Sequence, residues 1–227
     1  MIVHCNGIDI FYEVRGSGAP LLMLHGNGET HAIFDEAADL LARCFTVYTP
    51  DTRGHGASSP VSEYHYQDMA SDVICFIQAL GLDRPILYGF SDGGITALLV
   101  AQQRPDLVSR VIASGANACP EGLTEDFLSE IRAAALSDKE QHDPLLTLML
   151  TEPHMVENAL AAISVPVFLL TGEHDVVREE HSKWLSGVIN CPLRVLKGQN
   201  HDSYVTHSTM IAAEILKILG ISDENAG

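Results

Sequence analysis

Ser91 lies in Gly89-Phe90-Ser91-Asp92-Gly93, a G-x-S-x-G spacing between the apolar run ILYGF and the helix-like stretch ITALLVAQQ. Glycine on both sides permits a sharp turn that pushes the serine Oγ into the open, and the following helix points its free N–H groups at the same spot. A serine hydroxyl is a weak nucleophile near neutrality. It needs a base within hydrogen-bond reach, and the base needs an acceptor that fixes its tautomer. Eleven histidines compete for the first role. His201, in GQNHDSY, follows the last β-rich run, whereas His174 would flank the acid and His181 and His207 fall on predicted helices. The best acid is Asp175 in TGEHD, directly after VPVFLLTG. The chain order is then Ser91, Asp175, His201, and the chemistry is acyl transfer through a serine hydroxyl.

An acyl-transfer site also needs donors aimed where negative charge develops, and losing one costs about 2.7–4 kcal/mol of transition-state stabilisation. Two backbone N–H groups qualify: that of Asp92, directly after the nucleophile, and that of Asn27 in LHGNGE, where Gly26 and Gly28 free the backbone. No H-E-x-x-H or close His/Cys set calls for a metal, and His25, His31 and His55 read as loop or helix residues. The expected chemistry uses no cofactor.

These residues must be carried on a scaffold, and short β-rich runs alternate with helical periodicity along most of the chain. That alternation predicts an α/β fold with a parallel sheet covered by helices on both faces. Strands are expected near Ile2–His4, Ile8–Val14, Leu21–Leu24, Phe45–Tyr48, Pro85–Gly89, Val108–Ser114, Val165–Thr171 and Leu193–Leu196. Asn6-Gly7 suggests an I′-type hairpin turn between the first two. Helices are expected at 31–43, 66–80, 92–103, 178–188 and 205–219. Between Ser114 and Val165 no strand is evident; Leu123, Phe127 and Ile131 recur at helical spacing, and a second apolar cluster, Leu145 to Leu150, precedes Glu152-Pro153. Such an insert would sit beyond the carboxyl ends of the strands as a short helical lid, at about residues 116–156. The SDENAG tail is expected to be frayed.

The 227 residues, 46% apolar and 19% charged, fit one domain spanning 1–227 and exclude a disordered linker. The longest apolar runs are too short to cross a bilayer. With 13 basic and 30 acidic side chains the net charge is -17, which disfavours nucleic acid and anionic membrane as partners. The sequence MIVHCNGIDI has no basic segment followed by an apolar stretch, so a cytoplasmic location is expected. Cys5, Cys44, Cys75, Cys119 and Cys191 are odd in number and widely spread, which predicts reduced and mostly buried thiols.

LMLHGNGET, TPDTRGHGASS, YGFSDGGITAL, LLTGEHDVV and KGQNHDSY, in this order, resemble the α/β-hydrolase superfamily over nearly the whole chain. The resemblance implies an eight-stranded, mostly parallel sheet and a triad at Ser91, Asp175 and His201, with Asn27 and Asp92 supplying the oxyanion N–H pair. Asp51, Arg53 and Gly54 match the superfamily's D-x-R-G-x-G turn and read as structural, the acid and base satisfying loop backbone and each other. SDGGITAL and the later SGANA are similar to the valacyclovir-hydrolase-like subgroup, whose insert is longer. That likeness implies a second role for Asp92, receiving a substrate α-amino group. A carboxylate in the first turn of a helix is in any case favoured by about 0.3–1 kcal/mol.

The function expected is cofactor-free hydrolysis of a small carboxylic ester through an acyl-enzyme, with short acyl chains preferred because the insert is short. A thioesterase, acyl transferase or perhydrolase would use the same triad, and some superfamily members are non-turnover receptors for small molecules. Dehalogenase and epoxide-hydrolase chemistry is disfavoured, since those enzymes have aspartate where Ser91 stands.

Overall fold

Asn6 and Gly7 both take positive φ, 50° and 80°, as a two-residue I′ turn requires. They join β1 (Ile2–Cys5) to β2 (Ile8–Gly16) in an antiparallel hairpin. Six strands follow: β3 (Ala19–Leu24), β4 (Phe45–Pro50), β5 (Ile86–Phe90), β6 (Arg110–Ser114), β7 (Val167–His174) and β8 (Leu193–Asn200). The computed structural model describes residues 1–137 and 143–221, so the SDENAG tail lies outside the described residues. The eight strands form one sheet in the order β1-β2-β4-β3-β5-β6-β7-β8. β2 is antiparallel to both neighbours, and all other neighbouring pairs from β4 to β8 are parallel.

The helices are α1 (Asp35–Leu41), α2 (Tyr66–Ala79), α3 (Asp92–Gln103), α4 (Glu125–Ser137), α5 (Pro144–Thr151), α6 (Glu157–Ala161), α7 (Glu179–Ile189) and α8 (Met210–Leu219). β3 shows how they cover the sheet. Leu21, Leu22, Met23 and Leu24 are all fully buried, as expected of a parallel strand covered on both faces. Leu22 and Leu24 enter a core built with α2, α3, α6 and α7, while Leu21 and Met23 enter a second core built with α1 and α8. The two-residue period of the strand thus divides one apolar run between two cores. No helix among the described residues is long and apolar enough to cross a membrane.

Several local expectations are corrected. The helix expected at 31–43 is a 3-10 turn, His31–Phe34, followed by α1; the Ile33 carbonyl accepts the N–H of His207 from a distant loop. The helix expected from 205 begins at Met210. His207 takes a φ of 49° and cannot continue a helical turn, and Tyr204 and Val205 are buried in the preceding turns instead. Leu123 precedes α4 and bridges Val177, so its spacing to Phe127 and Ile131 does not mark one helix.

Arg53 and Asp51 do not satisfy each other. Arg53 forks onto Asp72 of α2 at 2.7 Å through both Nε and Nη2, whereas Asp51 accepts the N–H groups of His31 and Ala57 and the His31 ring. All five cysteines are free thiols, but only Cys5 is fully buried; the other four are half-buried.

Candidate active site

Ser91 occupies the turn from β5 into α3 with φ 53° and ψ -117°, a backbone conformation that L-residues rarely adopt. Close packing holds it there. A Cβ on Gly89 would lie 2.0 Å from the Gly93 carbonyl oxygen, and one on Gly93 would lie 2.2 Å from that of Leu24. The Ser91 N–H donates to the Ser114 carbonyl at 2.8 Å, tying the turn to the end of β6.

Asp175 follows β7 and His201 follows β8, so both stand at the same carboxyl edge of the sheet as Ser91. His201 Nε2 is 3.0 Å from Ser91 Oγ, and His201 Nδ1 is 2.6 Å from Asp175 Oδ1. The other Asp175 oxygen accepts from the Gly172 N–H and the Thr171 hydroxyl, both at 3.0 Å, and Oδ1 also accepts from the Val177 N–H. Burial pushes the Asp175 carboxyl up, but the His201 ring and these N–H donors outweigh it and hold it below the ordinary carboxylate value. Asp175 therefore keeps its charge near neutrality. Gly115, with φ 59°, makes room for the imidazole, because a Cβ there would sit 2.7 Å from His201 Cε1.

The competing imidazoles are elsewhere. His181 is buried on α7, where its Nε2 accepts the Ala118 N–H, and desolvation lowers its pKa to about 4. His207 lies 3.5 Å from Glu36 in the turn before α8. His174 lines the cavity described below from the exposed end of β7.

Asn27 and Asp92 meet across the turn, with Asn27 Nδ2 donating to Asp92 Oδ2 at 2.9 Å. The Tyr66 hydroxyl donates to the other Asp92 oxygen at 2.6 Å. Burial raises the Asp92 carboxyl above its ordinary value, with these two hydrogen bonds opposing the shift. Behind Asn27, His25 Nδ1 donates to the Gly26 carbonyl and His25 Nε2 accepts the Thr52 N–H, both within 2.9 Å. This buried ring is therefore neutral, and desolvation lowers its pKa to about 4. A depressed histidine pKa stabilises the fold fully above the unfolded value near 6.5 and loses that contribution as pH falls toward the folded value. His25 alone is expected to cost about 2 kcal/mol on going to pH 5, lowering Tm by about 5 °C. Thermal melts from pH 7.5 to 5 check this, and a Tm unchanged over that range would contradict it.

A cavity of about 550 Å³ opens above Ser91 and His201. Leu123, Phe127, Met149 and Glu152 wall it from the segment between β6 and β7, and Glu29, Asp92 and Asp202 add carboxyls; no lysine or arginine is among its described lining residues. Glu152 caps α2 from across the cavity, accepting the Tyr66 N–H at 3.1 Å and pairing with His65 at 2.6 Å. Tyr66, Glu29 and His55 carry no sequence signal that links them to the site. Gly115 is the exception, since a glycine directly after a strand end is a cue to close approach.

The sheet and its covering helices agree with what comparison with known proteins finds. An uncharacterized protein of Mycobacterium tuberculosis is 33% identical over 143 residues, 63% of this chain and 41% of that protein. Serine hydrolase BPHL of Homo sapiens is 36% identical over 124 residues, 51% of this chain and 42% of the human protein. These alignments thus span less than half the length of either relative. A thermophilic esterase from Thermogutta terrifontis superposes with a TM-score of 0.80 at 19% identity, covering 97% of this chain and 98% of the esterase, which shows a shared fold. The family model described as alpha/beta hydrolase fold matches residues 19–147, more than half of the sequence. With that match, and with the eight-stranded sheet and its helices on both faces, this chain belongs to the alpha/beta hydrolase family.

Proposed function

We propose that this protein is a serine hydrolase that cleaves small carboxylic esters through an acyl-enzyme. The observation that carries the reading is the relay from Ser91 Oγ to His201 Nε2 at 3.0 Å and from His201 Nδ1 to Asp175 at 2.6 Å, open to a 550 Å³ cavity. His201 Nε2 takes the Ser91 proton as Oγ attacks the ester carbonyl, and Asp175 stabilises the resulting imidazolium. The N–H groups of Asn27 and Asp92 receive the oxyanion. As the tetrahedral intermediate collapses, His201 returns the proton to the leaving alkoxide. Water then enters, loses a proton to His201 and attacks the acyl carbon, and Ser91 leaves with that proton. Nucleophile, base and oxyanion donors all come from this chain, so the scheme needs no cofactor. The segment at about 116–156, of which 138–142 lie outside the described residues, serves as a lid within a single working domain of residues 1–227, with Leu123, Phe127 and Met149 meeting the substrate's apolar part.

The lining carboxyls, without a lysine or arginine among the described lining residues, favour uncharged or cationic substrates over anionic ones. Esters therefore fit the cavity better than coenzyme-linked thioesters, which carry several phosphates. A panel of p-nitrophenyl esters tests both points. Acetate and butyrate are expected to turn over faster than dodecanoate, and a neutral ester is expected to exceed its hemisuccinate counterpart by about tenfold or more in kcat/KM. Equal rates for neutral and anionic esters would remove the charge argument. Negligible turnover of every ester, with ligand-dependent partner binding, would replace the hydrolase reading by that of a receptor.

A further inference from the structure

Gly26, Asn27 and Gly28 present three consecutive backbone N–H groups beside Ser91, and the protein uses two of them. The Gly26 N–H donates to Glu29 Oε2 at 2.9 Å and the Gly28 N–H donates to His55 Nε2 at 3.1 Å. The His55 tautomer is fixed for this, because Nδ1 lies 2.9 Å from the Arg53 carbonyl and must carry the proton. The Asn27 N–H meets no acceptor among the described residues and stays available. The Asn27 side chain, by contrast, is tied to Asp92 Oδ2 at 2.9 Å, and Asp92 is held by the buried Tyr66 through a 2.6 Å bond to its other oxygen. One buried carboxyl thus connects the two residues whose backbone N–H groups would receive the oxyanion.

We propose that the Asp92 carboxylate, anchored by Tyr66, is the brace that holds the Asn27 N–H and the Asp92 N–H at a fixed separation. This rests on the serine-hydrolase reading and assigns Asp92, Tyr66 and the Asn27 side chain as positioning residues. The physical need is clear: oxyanion donors act only when held about 2.7–3.1 Å from the developing charge, and the turn bearing Asn27 has glycine on both sides. Gly28, at φ 68°, gives that turn no side chain with which to pack. The short Asn27 side chain has two rotatable bonds, so fixing its amide limits rotation of the peptide whose N–H matters. The brace acts on every ester alike. An amine receptor at the same carboxylate would act on amino esters alone.

The test compares Asn27→Ala, Tyr66→Phe, Asp92→Ala and Asp92→Asn with the parent on p-nitrophenyl butyrate and its uncharged relatives, together with inhibition by phenylboronic acid. That inhibitor forms a bond from Ser91 Oγ to boron and places an oxygen where the oxyanion would be. Asn27→Ala and Asp92→Ala are each expected to lower kcat about 10- to 100-fold and to weaken the boronic acid by a similar factor, with KM changed less than about threefold. Tyr66→Phe is expected to fall between these and the parent. The Asn27→Ala/Asp92→Ala double variant should be no slower than Asp92→Ala alone, because both break one connection. Asp92→Asn is expected to retain kcat within about fivefold, since the Asn27 amide can turn over and accept from the new one. Asn27→Ala removes no buried charge, so it stays informative if Asp92→Ala fails to fold.

Asn27→Ala with the parent's kcat and boronic-acid affinity would overturn the brace while leaving the hydrolase reading intact. So would multiplicative losses in the double variant, or a folded Asp92→Ala that keeps the parent's kcat on p-nitrophenyl butyrate. A parent that neither turns over esters nor reacts with a fluorophosphonate would overturn both.

Discussion

Replacing Ser91 by alanine is expected to lower kcat on p-nitrophenyl butyrate by about 10⁴-fold or more while leaving the protein folded. The hydroxyl is the one atom group 3.0 Å from His201 Nε2, and no other serine or cysteine lines the cavity among the described residues. Alanine keeps the Cβ and the packing between Gly89 and Gly93 that sets the turn, so Tm should move by only a few degrees, which a melt alongside the assay checks. Fluorophosphonate labelling of the parent, absent from Ser91→Ala, ties the loss to covalent chemistry. A variant retaining even a hundredth of the parent's rate would remove Ser91 as nucleophile.

Asp175→Asn is expected to cost about 10³- to 10⁴-fold in kcat, with a smaller effect on KM. The carboxylate accepts four donors: the His201 Nδ1–H, the Val177 and Gly172 N–H groups and the Thr171 hydroxyl. An asparagine NH₂ must face at least one of them. If it faces His201, the ring adopts the other tautomer and presents Nε2–H to Ser91, where it cannot take a proton. If it faces Gly172, a buried N–H loses its acceptor and the fold is weakened by about 1–3 kcal/mol. Kinetics and melts on the same preparation separate the two cases. A kcat within tenfold of the parent would mean that His201 needs no carboxylate to orient it.

The residues at strand ends were legible in the sequence because glycine and motif spacing mark the turns that carry them. Ser91, Asp175 and His201 each follow an apolar run, and a parallel sheet delivers all such positions to one edge. Residues that reach the site from outside those turns were not legible. Tyr66 opens α2 and reads as a core aromatic, and only the packing of α2 against α3 brings its hydroxyl to Asp92. Sequence adjacency pairs Arg53 with Asp51, whereas its partner in the fold, Asp72, is supplied by the packing of α2. The misread helix starts share a cause. Leu123 and Val205 are apolar at helical spacing because they are buried, one against Val177 and the other under the turn after β8, and burial alone does not report backbone conformation.

Tyr66 also answers to two masters. Its N–H is held by Glu152 at the end of α5, and its hydroxyl holds Asp92. On the proposed reading, shifting the segment that carries Glu152 enough to admit a bulky molecule would unfasten the first turn of α2, so the passage of substrate and the setting of Asp92 are mechanically geared through a single residue.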